Sequence, residues 1–203
     1  MTQSPKELDG YQMNEYLIVL LPKEELANKI KKVGQDFAIK YRLPGSHFLN
    51  TYITLVHFSH LEINEEKLVK RLQIIAMALV PFKIELINFG SLPSHSIYIN
   101  VVSKLPIQNI VRSLKEAQTL MTINKENKAH FIEEPNINIA RKLKPWQYEQ
   151  GWLELSNTGF TSRFIAENMV LLKRIKDSKT GYKILKRFDF QSLPLAIKQG
   201  NLF

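Results

Sequence analysis

Asn50-Thr51-Tyr52-Ile53-Thr54-Leu55-Val56-His57-Phe58 is the stretch on which the fold turns, and Asn136-Ile137-Asn138-Ile139 is its counterpart later in the chain. The first alternates in the period of a β-strand, whose successive side chains point to opposite faces. Strict alternation puts Thr51, Ile53, Leu55 and His57 on one face and Tyr52, Thr54, Val56 and Phe58 on the other. By that rule His57 faces away from Thr54. The second stretch follows Pro135 and also reads as a strand. Asn136 and Asn138 share its face, Arg141 has the opposite parity, and Lys142 has the matching parity but lies further along.

Working outward, residues 16–21 (YLIVLL) form a short apolar run ended by Pro22, the pattern of a fully buried strand. Leu26, Ile30, Val33, Phe37 and Tyr41 then recur at helical spacing, before a loop marked by Pro44 and Gly45. A second helical stripe, Leu68, Leu72, Ile75 and Leu79, stops at Pro81. Residues 82–89 and 95–102 predict an antiparallel strand pair joined through GSLPS. Pro106 opens a third helix, where proline is tolerated in the first turn. A short aromatic helix is expected after Pro145, then two strands over 163–175 and 182–190, with a C-terminal tail packed back on the body. Helices alternate with strands, so a mixed-sheet α/β protein is expected. Each of the two deciding strands is preceded by a helix and a proline-containing loop. That echo predicts two similar lobes facing each other across a cleft.

The 203 residues suffice for one sizeable core, and a single bilobal domain over 15–203 is expected behind a flexible N-terminus, 1–14. Twenty-eight Lys and Arg oppose 19 Asp and Glu, for a net charge of +9. That balance favours phosphate-bearing partners such as RNA or nucleotides. The absence of cysteine excludes disulfides, zinc–thiolate sites and a thiol nucleophile. The polar N-terminus is not a signal peptide, and no apolar run is long enough to span a bilayer. A cytoplasmic protein without a membrane partner is expected.

With these residues in view the chain resembles the 2′-5′ RNA ligase-like branch of the two-histidine phosphoesterases. The resemblance rests on residues 16–22, the hairpin 89–101 (FGSLPSHSIYINV) and the segment from Pro135 to Lys142, and runs from about Glu15 to the C-terminus. Residues 144–154 (KPWQYEQGWLE) are similar to a bacterial subgroup. The resemblance implies a bilobal α+β fold with two pseudo-symmetric lobes of mixed antiparallel sheets. It also implies a His-x-Thr motif on one strand of each lobe, both facing the central cleft. In that family one imidazole takes a proton from the attacking oxygen and the other protonates the leaving oxygen, without metal or cofactor. Histidine suits both tasks because it titrates near neutrality.

The first motif falls on Tyr52-Ile53-Thr54 and the second on Asn136-Ile137-Asn138, so only Thr54 matches the family pattern. A phenol with an ordinary pKa of about 10 is a poor base at neutral pH. An amide donates hydrogen bonds but carries no exchangeable acid–base proton. The expectation is a pseudoenzyme: a protein that binds the phosphate of an RNA end or nucleotide through Tyr52, Thr54, Asn136, Asn138 and Arg141. Alternatives are an active 2′,3′-cyclic phosphodiesterase using non-standard groups, and a protein-interaction module with a filled cleft. His47 and His130 are expected in loops leading to the two strands, and His95, at the start of the hairpin's second strand, in a packed or solvent-bonded role, with the cleft mouth as the alternative. His57 and His60 give an H-x-x-H spacing without a third ligand, which does not make a metal site. Trp146, Tyr148 and Trp152 read as core residues, with base stacking as the alternative.

Overall fold

The computed structural model describes residues 11–43, 51–93 and 95–193. The chain runs β1 (Met13–Leu20), α1 (Glu24–Lys40), β2 (Ile53–Leu61), α2 (Glu65–Ala78), β3 (Phe82–Leu92), β4 (Ser96–Val101), α3 (Lys104–Leu114), α4 (Gln118–Met121), β5 (His130–Phe131), β6 (Asn136–Arg141), α5 (Pro145–Ser156), β7 (Thr161–Ala166), β8 (Asn168–Ile175) and β9 (Lys183–Asp189). Two antiparallel sheets result, ordered β5-β2-β1-β8-β9 and β6-β4-β3-β7. Leaving aside the two-residue β5, each sheet places its deciding strand, β2 or β6, at the same end of a four-strand order. This is the expected two-lobed α+β architecture.

β1 forms because residues 16–20 are apolar on both faces. Tyr16, Ile18 and Leu20 enter the main core, while Leu17 and Val19 join a second apolar cluster with Val170 and Leu172 on the other face. Helices cover one face of each sheet: α1 lies against β6, α5 against β3 and β4, and α2 to α4 against β2 and β9. Gln147 ties α5 to the end of α1 through a buried 2.8 Å hydrogen bond from its side-chain amide to the Tyr41 carbonyl. Gly151 lets the two helices close. A Cβ there would sit 2.5 Å from the Phe37 ring.

Two sequence expectations are corrected. Residues 163–175 are not one strand. The chain breaks at Glu167, so that β7 pairs with β3 in one sheet and β8 pairs with β1 in the other. The burial pattern shows why. Phe164 and Ala166 alternate with exposed neighbours on an edge strand, whereas Met169 to Leu172 are buried on both faces of a central one. Strand β1 begins at Met13, inside the span expected to be a flexible N-terminus; residues 1–10 lie outside the described residues. The Pro44–Gly45 loop, His47 and most of the C-terminal tail also lie outside them. No described helix is long and apolar enough to cross a membrane.

Candidate functional site

Each deciding strand carries a β-bulge at the same motif position. In β2 the partner of Ile18 is Val56 but the partner of Val19 is Thr54, so Leu55 is an extra residue. In β6 the partner of Ile97 is Ala140 but the partner of Tyr98 is Asn138, so Ile139 is extra. A bulge inserts one residue and reverses the parity of everything after it. Ile53, Leu55, Val56 and Phe58 consequently all face the core, as do Ile137, Ile139 and Ala140.

This overturns two parity expectations. Arg141 joins Asn136 and Asn138 on the cleft side, where all three line one cavity. His57 lies opposite Leu17, on the same sheet face as Thr54 opposite Val19. The three-residue steps from Thr54 to His57 and from Asn138 to Arg141 are equivalent in the two lobes.

The cavity, about 370 Å³, opens between the two deciding strands. β2 and its lead-in supply Tyr52 and Thr54. β6 supplies Asn136, Asn138 and Arg141, and Lys142 follows in a left-handed conformation (φ 52°). His95 and Ser96 enter from the start of β4, and Leu92 and Ile132 provide apolar wall. All five residues expected from sequence to bind a ligand therefore border one space. Tyr52 does not fill it; its ring packs partly on the Leu17–Val19–Val170–Leu172 cluster.

Among the described residues the lining holds two permanent cations and no carboxylate. Arg141 and Lys142 form no ion pair with a described residue. The Asn138 amide donates to Asn136 Oδ1 at 2.8 Å, and the Asn136 amide donates to the Glu134 carbonyl at 3.3 Å. This chain of bonds fixes the orientation of both amides. The Tyr52 phenol is pushed up to about 12 by burial, with Arg141 and Arg174 pulling it back. It stays protonated at neutral pH and acts as a donor, not a base.

Two imidazoles, His57 and His130, lie where the sequence reading did not put them, and His95 takes its cleft alternative in place of the packed or solvent-bonded role. His95 lies in the cavity wall, and its Nδ1 is 3.3 Å from the Pro93 carbonyl. His130 is not in a loop but in β5, directly opposite His57. His57 itself was hidden by the bulge. The signal available in sequence was the doubled apolar step, Leu55-Val56 and Ile139-Ala140, in strands that otherwise alternate. His60 is buried, and its Nδ1 accepts the Leu61 amide at 2.8 Å where β2 ends, so it closes a turn. Tyr148 and Trp152 pack against the core, while Trp146 is exposed. Among the described residues no group of three or more His, Asp or Glu is placed to hold a metal ion.

The sequence matches no protein-family model and no curated protein. Solved structures do match. A Thermus thermophilus protein, TT0787, is 13% identical with a TM-score of 0.60, over 87% of this chain and 98% of its own. Escherichia coli LigT complexed with 3′-AMP is 16% identical with a TM-score of 0.58, over 88% and 99%. LigT complexed with NADP+ gives 15% and 0.55 over 89% and 99%. Two antiparallel sheets, an opening between their deciding strands and near-complete coverage of these structures establish that the chain has the LigT-like, two-histidine phosphoesterase fold.

Proposed function

We propose that the cavity between Thr54 and Asn138 binds the phosphate of a nucleotide or RNA end, and that the motif positions no longer transfer protons. One observation carries the reading: among the described residues, hydrogen-bond donors from both lobes and two cations without an ion pair line a space that holds no carboxylate. Charge-assisted hydrogen bonds are the strong ones for a phosphate, and arginine meets it through two parallel N–H groups. Thr54 supplies a hydroxyl, Tyr52 a phenolic O–H, and the two asparagines their amides. E. coli LigT was solved with 3′-AMP and with phosphate, which supports a phosphate-bearing ligand for the shared fold.

Calorimetric titration with adenosine 3′-monophosphate tests it. Wild type is expected to bind. Arg141→Ala should weaken binding by about 10- to 100-fold, since a hydrogen bond to a charged group contributes roughly 1.5–3 kcal/mol. Thr54→Ala should weaken it by about tenfold. Unaltered affinity in both variants would place the ligand elsewhere.

A second reading follows from His95. It puts one imidazole in the cavity wall, which permits slow one-histidine hydrolysis of a 2′,3′-cyclic nucleotide. Any turnover in wild type should then vanish in His95→Gln; turnover that persists there rules this reading out.

A further inference from the structure

A second set of polar groups lies on the cleft-side face of the five-stranded sheet, outside the cavity lining. His57 and His130 are direct cross-strand partners there. Their orientation is fixed by their neighbours. Val56 and Phe131, the adjacent pair, both turn to the core, so the two imidazoles share the opposite face. Both are exposed. Next across the sheet comes Leu17, opposite His57, and then Leu172. One pleat further along, Glu15 pairs with Arg174. Arg174 Nε donates to Glu15 Oε2 at 2.6 Å and the Tyr182 hydroxyl donates to the same oxygen at 3.1 Å.

The pair has no role in folding that the geometry reveals. It is not part of the core, and two imidazoles side by side repel each other once protonated. Partial desolvation against the sheet face, despite its exposed edge, holds His57 below its ordinary value; Glu15 pulls it up, and His130 and Arg174 push it down. The charged and titratable groups that face His57 are Glu15 from β1, His130 from β5 and Arg174 from β8. Glu15 is already neutralised by Arg174, so the balance at this spot turns positive as soon as the imidazoles take up protons.

Position supplies the rest. The equivalent bulges make His57 the counterpart of Arg141, three residues beyond the motif hydroxyl or amide. Thr54 and His57 lie roughly 7–10 Å apart along the strand. That is of the order of one nucleotide step in an extended oligonucleotide.

We propose that His57 and His130 form a second, proton-dependent anion subsite that takes the next backbone phosphate of an oligonucleotide whose terminal phosphate occupies the cavity. The proposal rests on the phosphate-binding reading of the cavity and extends it from a mononucleotide to a strand. Protonated imidazoles donate N–H bonds to phosphate oxygens, and the bound anion relieves the repulsion between them. Binding and protonation therefore reinforce each other, and affinity for the strand rises as pH falls.

The test compares two probes, adenosine 3′-monophosphate and the dinucleotide ApAp bearing a 3′-phosphate. Both are titrated calorimetrically at about pH 5.5 and about pH 8 into wild type and His57→Gln/His130→Gln. Wild type should prefer the dinucleotide by at least about tenfold at the lower pH and by under about threefold at the higher. The low-pH titration should show proton uptake when repeated in buffers of different ionisation enthalpy. The double variant should lose the preference and the uptake yet bind the monophosphate as wild type does; folding is checked by circular dichroism. A dinucleotide preference that is independent of pH, or kept in the double variant, overturns the subsite alone. Failure of wild type to bind either probe overturns the cavity reading and the subsite with it.

Discussion

Tyr52→His/Asn136→His/Asn138→Thr is expected to raise hydrolysis of a 2′,3′-cyclic nucleotide by at least about 100-fold over wild type, because each positioned general acid or base contributes roughly 10²–10⁴-fold. The three positions border the same cavity, one on the lead-in to β2 and two on β6, so the imidazoles would reach a bound phosphate from opposite lobes. What wild type lacks at these three positions is a group that titrates in the working range. The Tyr52 phenol, pushed up to about 12, does not release its proton at neutral pH. The Asn136 amide donates hydrogen bonds but neither gains nor loses a proton near neutral pH. Histidine at both places brings ordinary values of about 6.5, and the rate should follow a bell-shaped pH profile. The readout is kcat/KM across pH. A triple variant that binds the nucleotide like wild type and still shows only background turnover would mean that more than the imidazoles separates this chain from an active phosphoesterase.

Arg174→Met should destabilise the fold by about 3 kcal/mol, seen as a fall in Tm of roughly 6–12 °C for a chain of this size. The guanidinium is the main partner of a Glu15 carboxylate whose side chain is only 15% exposed. Removing it leaves a charge in a largely dry place, which is the costly way to break such a pair. Removing both charges is far milder, so Glu15→Gln/Arg174→Met should recover most of the loss. Burial pushes the Glu15 carboxyl up, but hydrogen bonds from Arg174 and Tyr182 outweigh it and hold the group below its ordinary value. The sign follows. A carboxyl depressed in the folded state contributes stability above its unfolded value near 4, and that contribution fades as pH falls through the folded value. The gap between wild type and the double variant should narrow in acid. A single variant as stable as wild type at neutral pH would show that the pair carries no such weight.

The architecture was legible because it is written in local patterns. The apolar run of β1, the helical stripe ending at Tyr41 and the hairpin of β3 and β4 each follow from spacing within a dozen residues. Alternation put Tyr52 with Thr54 and Asn136 with Asn138 on one strand face each, but only the resemblance to the two-histidine phosphoesterases marked those faces as the cleft. Arg141 and His57 were misplaced by a single physical event. A bulge adds one residue and inverts parity, and its one trace in the sequence is an apolar doublet, Leu55-Val56 or Ile139-Ala140, which interrupts the alternation. The exchange of the chain between sheets at Glu167 was hidden because both flanking segments are good strands. Pairings across long sequence distances, such as Glu15 with Arg174 or His57 with His130, become visible only once register is known.

On the proposed reading the phosphate of a nucleotide sits between Thr54 and Asn138 with Arg141 beside it. A crystal structure of the protein grown with adenosine 3′-monophosphate measures this directly. The phosphate is expected within hydrogen-bond distance of Thr54 Oγ1 and the Asn138 side chain, with the Arg141 guanidinium against its oxygens. Nucleotide density located away from these three residues, or a cavity left empty at saturating nucleotide, would contradict it.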